Sequence, residues 1–191
     1  MVNEVIVPEI LNNKNLTIKS GIVKQERRKY LDKSEIQEKL SNITDPNDKF
    51  FCTFLWMSGI RVSEAINIKK KDISSREKFM IVKWLKSRKY FERIVPLHPQ
   101  LNQMLDIYTA GMNMDDRIFP FSRQNAFYIT KKWLGVSPHK LRHSFAVNWL
   151  REGGDIAYLS KALGHRFINT TGEYLKIVPS DVAKELEKIR F

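Results

Sequence analysis

Several short stretches of the sequence carry side chains suited to ionic and nucleophilic chemistry. His139-Lys140-Leu141-Arg142 follows Ser137-Pro138, which predicts a helix N-terminus with Ser137 as N-cap and Pro138 at the first helical position. The i, i+3 spacing puts His139 and Arg142 on one face, and the helix end adds its own positive potential. That combination is a candidate anion site; a capped surface helix with a solvated arginine fits the same residues. Gly59-Ile60-Arg61-Val62-Ser63-Glu64 places an arginine just after a helix end, with a carboxylate three residues on. Arg61 either grips a phosphate, oriented by Glu64, or forms an exposed ion pair at a helix corner. Lys86-Ser87-Arg88-Lys89 is either a solvated turn or a basic tip that enters a nucleic-acid groove. Tyr174 follows Thr170-Thr171 and lies downstream of Leu163-Gly164-His165; alone it reads as packing or a surface hydroxyl.

His139 and His143 also have the i, i+4 spacing of a metal pair on a helix. The residues between them are Lys, Leu and Arg, with no glutamate to act as base, and the two cations would repel a divalent ion. No metal is expected, and no GxGxxG or P-loop pattern offers a nucleotide site.

Composition narrows the partner. The 191 residues hold 33 Lys+Arg against 21 Asp+Glu, a formal net charge of +12, which points to a polyanion, with nucleic acid ahead of an acidic membrane surface. At 42% hydrophobic and 28% charged the chain has globular composition, enough for one compact domain. The single cysteine, Cys52, excludes an internal disulfide framework and fits a reducing compartment. The most apolar window, Phe50 to Ile60, is far short of the roughly 20 residues of a membrane span, so a soluble, cytoplasmic protein is expected.

The elements that must position these residues are also marked. Residues 1–28 read as an arm or linker and 29–191 as the main domain. Asp32-Lys33-Ser34-Glu35 caps a first helix with Ile36 and Leu40 on its apolar face. Asp45-Pro46 opens a second, carrying Phe50, Phe51, Phe54 and Leu55 and closed by Gly59. A short third helix starts near Ser63. Residues 79–97 read as strand, turn, strand. Helices are expected over about 99–110, 122–134, 138–152, 155–163, 168–176 and 180–190. The fold class is α+β, mostly helical, with one small β-hairpin or sheet.

In order along the chain, Arg61 within Gly-Ile-Arg-Val-Ser-Glu, the basic hairpin ending in Arg93-Ile94-Val95-Pro96-Leu97, His139-x-x-Arg142, Leu163-Gly164-His165 and Tyr174 resemble the catalytic domain of the tyrosine recombinase (phage integrase) family. The resemblance runs from about residue 30 to the C-terminus, and the interval from His165 to Tyr174 is the family's own. It implies that Arg61 and Arg142 clamp a scissile DNA phosphate, that Glu64 supports Arg61, that His139 and His165 fill the two histidine positions, and that Tyr174 is the nucleophile. For the lysine it implies Lys86, at the end of the first hairpin strand, with Lys89 as the alternative and Arg88 at the position a tighter hairpin would give.

The implied reaction is site-specific recombination or integration through a 3′-phosphotyrosine, without metal, ATP or other cofactor. A type IB topoisomerase-like relaxing enzyme and a non-catalytic DNA-binding module are the rival readings. The implied partners are double-stranded DNA, further copies in a homotetramer on synapsed DNA, and accessory DNA-bending proteins. The resemblance places the protein in the cytoplasm, as a nucleoid-associated or virus- or mobile-element-encoded protein. Family members usually carry a helical DNA-clamping domain ahead of this one, so the chain reads as a fragment or a naturally short member. The segment from Pro179 to Phe191 has Val182, Leu186 and Ile189 on one helical face, suited to docking on the next protomer or packing in cis.

Overall fold

A computed structural model describes residues 16–19, 22–25, 30–86 and 89–164, with side chains described over 30–84 and 91–164. Strands β1 (Leu16–Lys19) and β2 (Ile22–Gln25) pair antiparallel, Leu16 opposite Gln25 and Lys19 opposite Ile22. This hairpin lies inside the segment read as an arm and had no counterpart among the expected elements.

The helical body begins with α1 (Lys33–Ser41) and α2 (Pro46–Ser58). Glu35 Oε2 accepts from the Asp32 backbone N–H at 2.7 Å, and Asp45 Oδ1 accepts from the N–H groups of Asn47 and Asp48, both at 2.9 Å. These carboxylates satisfy donors that a helix start leaves unpaired. α2 is apolar around most of its circumference and is accordingly surrounded, packing against α1, α5 (Arg123–Leu134) and α6 (Pro138–Arg151). Phe51 and Phe54 of α2 meet Phe119 at ring-centroid distances of 5.1 and 4.9 Å, and Phe51 meets Phe121 edge-on at 86°. The buried hydroxyls of Thr53 and Ser58 donate back to the carbonyls of Lys49 and Phe54, so both are satisfied within their own helix.

After α3 (Val62–Ala65) and a 3-10 turn at Lys70–Asp72, an antiparallel sheet forms in the order β3 (Ile73–Ser74), β4 (Phe79–Lys86), β5 (Lys89–Pro96). Met80 lies opposite Val95, Val82 opposite Arg93, and Lys86 opposite Lys89, so the pairing extends to both lysines. The expected polar tip of four residues is therefore shorter, because pairing runs one residue further on each strand. The third strand, β3, is two residues long, too short to show an alternation in sequence.

α4 (Pro99–Tyr108), α5, α6 and α7 (Ile156–Leu163) follow within two residues of their expected boundaries. The helices expected over 168–176 and 180–190 lie outside the described residues. Two long-range bonds tie the start of the body to its end: the Leu31 N–H donates to Ser144 Oγ at 2.8 Å, and Asn148 Nδ2 donates to the Leu31 carbonyl at 3.1 Å. Among the described residues no helix is long and apolar enough to cross a membrane.

Candidate active site

The site is built on the corner between α2 and α3. α2 stops at Gly59, whose left-handed φ of 62° lets the chain reverse; a Cβ there would sit 2.3 Å from Cδ1 of Phe145. Two residues later Arg61 is the N-cap of α3, and Glu64 stands at its third position. Glu64 Oε2 accepts from the Arg61 backbone N–H at 2.8 Å, while Oε1 accepts from Arg61 Nη1 at 3.0 Å. The carboxylate thus caps the helix and orients the arginine. The Arg61 side chain remains 45% exposed, while that of Glu64 is only 2% exposed.

A buried carboxylate needs more than one half-exposed partner. Arg93 on β5 supplies the second, donating from Nη1 to Oε1 and from Nη2 to Oε2, each at 2.9 Å. Burial alone would push the Glu64 carboxyl upward; the bonds and charges of Arg93, then of Arg61, outweigh it and hold the group below its ordinary 4.5. Sequence reasoning placed Arg93 only within the hairpin motif. The available signal was its alternation with Val95, which puts a cation on the buried face of β5, where it must meet an acid.

Arg142 is approached from the other side. Ser137 Oγ accepts from the Lys140 N–H, Pro138 occupies the first turn, and α6 runs inward so that Arg142 is 5% exposed. This excludes the solvated arginine that the sequence also allowed. Arg142 donates from Nη1 to the Gly59 carbonyl and from Nη2 to the Leu163 carbonyl, both at 2.8 Å. The neighbouring carbonyl, Ala162 O, accepts from Arg93 Nε at 3.4 Å. Two arginines from different elements therefore meet the last carbonyls of α7, where the negative end of a helix favours cations. α7 closes on Gly164, at a left-handed φ of 65°, directly before His165.

His139 is exposed on the first turn of α6. It lines an open groove of about 500 Å³ together with Val62, Arg123, Gln124, Phe127, Ser137 and Pro138. Since Val62 follows Arg61, the groove brings the histidine position beside the Arg61 corner. Arg61 and Glu64 at the start of α3 and His139 and Arg142 at the start of α6 are thus brought together from two separate helices. Lys86 pairs with Lys89 at the end of the hairpin, the last pair of the β4–β5 register. His165 and Tyr174 lie outside the described residues. The arrangement of exposed Arg61 beside an anchored Arg142 and a helix N-terminus can hold a phosphate and neutralise charge that grows on it.

The pattern of the phage integrase family matches residues 29–180. The chain belongs to that family. Its integrase relatives include tyrosine recombinase XerA of Thermococcus kodakarensis, 31% identical over 179 residues, covering 85% of this chain and 63% of that protein. A crystal structure of XerA recombinase superposes with a TM-score of 0.67 at 26% identity, over 85% of this chain and 66% of the other. The catalytic domain of bacteriophage HP1 integrase shares the fold at 23% identity with a TM-score of 0.64, covering 83% of this chain and 94% of that one. The chain spans about 63% of the length of the XerA protein it matches.

Proposed function

We propose that this chain carries the DNA-cleaving and rejoining activity of a site-specific tyrosine recombinase. The observation that supports it most directly is the anchoring of Arg142 on the Gly59 carbonyl, two residues from Arg61, within a chain of the phage integrase family. In this reading Tyr174 Oη attacks a DNA phosphorus, the phosphorus–O5′ bond breaks, and a 3′-phosphotyrosine and a 5′-hydroxyl result. Arg61 and Arg142 neutralise the extra charge of the five-coordinate phosphorus, as two guanidinium groups can do in place of a metal. A free phenol has a pKa of about 10, so His139 and His165 assist removal of its proton and stabilise the oxyanion. Lys86, or Lys89 in its place, returns a proton to the leaving 5′-oxygen. Rejoining reverses these steps: a 5′-hydroxyl from a second duplex attacks the phosphotyrosine and the tyrosine leaves. The ester conserves the broken bond, so no external energy source enters.

The partner is double-stranded DNA, bound along the face that carries Arg61, His139 and the exposed Arg123, Gln124 and Phe127 of α5. Residues 29–191 act as the catalytic domain. Strand exchange between two duplexes calls for a tetramer, with the C-terminal segment around Val182, Leu186 and Ile189 docking between protomers and DNA-bending proteins assisting. The activity belongs in the cytoplasm, where the DNA is. The test is covalent trapping on a nicked duplex that loses its 5′-hydroxyl fragment after cleavage. The native chain should form an SDS-resistant adduct and Tyr174→Phe none; an adduct of equal yield in Tyr174→Phe would remove Tyr174 as nucleophile. Lys86→Ala should slow adduct formation about 10²-fold or more, as loss of a general acid does.

A further inference from the structure

Glu64 accepts from two guanidinium groups, and it does not share itself equally between them. Arg93 takes both oxygens in a parallel, two-pronged bond, 2.9 Å on each prong, whereas the Arg61 side chain makes a single bond at 3.0 Å. The Arg93 side chain is 10% exposed, so the Glu64–Arg93 pair forms a buried, neutral unit. The one charge left over from these three groups therefore resides on Arg61, the member that faces solvent. We propose that Arg93 is a positioning residue that balances Glu64, leaving the charge of Arg61 undiminished for an incoming phosphate. The inference rests on the reading of Arg61 as a phosphate-holding group.

Without Arg93 the same carboxylate would still lie three residues from Arg61 and still cap α3. It would then form a neutral pair with Arg61, and a phosphate approaching that corner would meet no net charge from this pair, leaving Arg142 alone to attract it. Glu64 can orient Arg61 without cancelling it only because a second cation occupies the carboxylate. The surroundings hold Arg93 in that task. Its guanidinium lies 5.3 Å from the centroid of the Trp84 ring, and its Nε donates to the Ala162 carbonyl. Gly164 leaves the room it needs, since a Cβ there would sit 2.8 Å from Arg93 Nε. A buried ion pair is weak evidence for stability, since apolar residues of similar volume often serve as well. Control of a neighbouring charge gives this one a use that apolar residues could not supply.

The test is a charge series in the full chain: Arg93→Met, Arg93→Met with Glu64→Gln, and Arg93→Lys. The local sum is +1 in the native protein, 0 in the first variant and +1 in the other two. The readout is inorganic phosphate binding, followed through the Arg61 Nε–H NMR signal and checked against Arg61→Ala. Arg93→Met should weaken phosphate binding roughly tenfold, while the double variant and Arg93→Lys should return to within about twofold of native. A double variant as weak as Arg93→Met would show that Arg93 only anchors the hairpin, and would overturn the proposal. Unchanged binding in Arg93→Met would overturn it too, as would an Arg61 signal indifferent to phosphate in the native chain. If Arg93→Met does not fold, the comparison of native, double variant and Arg93→Lys decides, because an anchoring role predicts loss in the double variant. Failure of the recombinase reading would appear separately, as a native chain that forms no tyrosine adduct while phosphate binding still follows the charge sum.

Discussion

The aromatic core around α2 and the ionic cluster around Glu64 begin within a few residues of each other and are stabilised by opposite means. Phe51, Phe54 and Phe119 contribute through area and close packing, which are non-directional and summed over many contacts. Glu64, Arg61 and Arg93 contribute through a few directed bonds around a carboxylate that could not otherwise be buried. The core therefore gives up stability when atoms are removed, while the ionic cluster gives up charge placement. Arg142 stands between the two, buried like a core residue yet bonded to the carbonyls of Gly59 and Leu163. It rigidifies the site by joining the ends of α2 and α7.

The comparison is most sharply tested by removing atoms from the core. Phe54→Ala should cost about 3–5 kcal/mol in urea denaturation, since a fully buried ring leaves a cavity. The folded variant should bind duplex DNA with native affinity at low temperature. A loss of affinity beyond the unfolded fraction would show that core and site are not separable.

Acid should act on the ionic cluster and spare the core. The folded Glu64 carboxyl lies below its ordinary value of 4.5, so its contribution is fully present above that pH. The contribution falls away as pH drops through 4.5 toward the folded value. In acid titrations of unfolding free energy, the native protein should lose stability over that window more steeply than Glu64→Gln, by less than the Phe54→Ala cost. Parallel curves would mean that Glu64 gains nothing from its two arginines.

The smallest effect is expected from an ion pair of similar length in a different setting. Lys33 Nζ and Glu152 Oε1 are 3.1 Å apart, but their side chains are 50% and 63% exposed. Lys33→Ala should change stability by no more than about 1 kcal/mol, and high salt should erase the difference. A larger, salt-resistant cost would break the distinction between buried and exposed pairs.

The thiol of Cys52 marks the same boundary from the core side. Burial, with a smaller contribution from the charge of Asp48, pushes it up to about 12. It is an inert core group, in keeping with the proposed chemistry, in which no thiol takes part.

Much of this was legible in the linear sequence, because caps and apolar periodicity are local. Asp45-Pro46 with Gly59 bounds α2, Ser137-Pro138 opens α6, and Asp155 with Gly164 bounds α7; each works through bonds spanning four residues or fewer. The order of Arg61, the basic hairpin, His139-x-x-Arg142, Leu163-Gly164-His165 and Tyr174 pointed to the family, since motif order and spacing are properties of the chain itself. Only the tertiary structure decided which acid Arg93 would meet, that Arg142 would be buried, and that both arginines would meet on the carbonyls ending α7. Those contacts join residues from 21 to 83 positions apart. Long-range pairing of buried charges depends on which surfaces packing brings together, and no local periodicity encodes it.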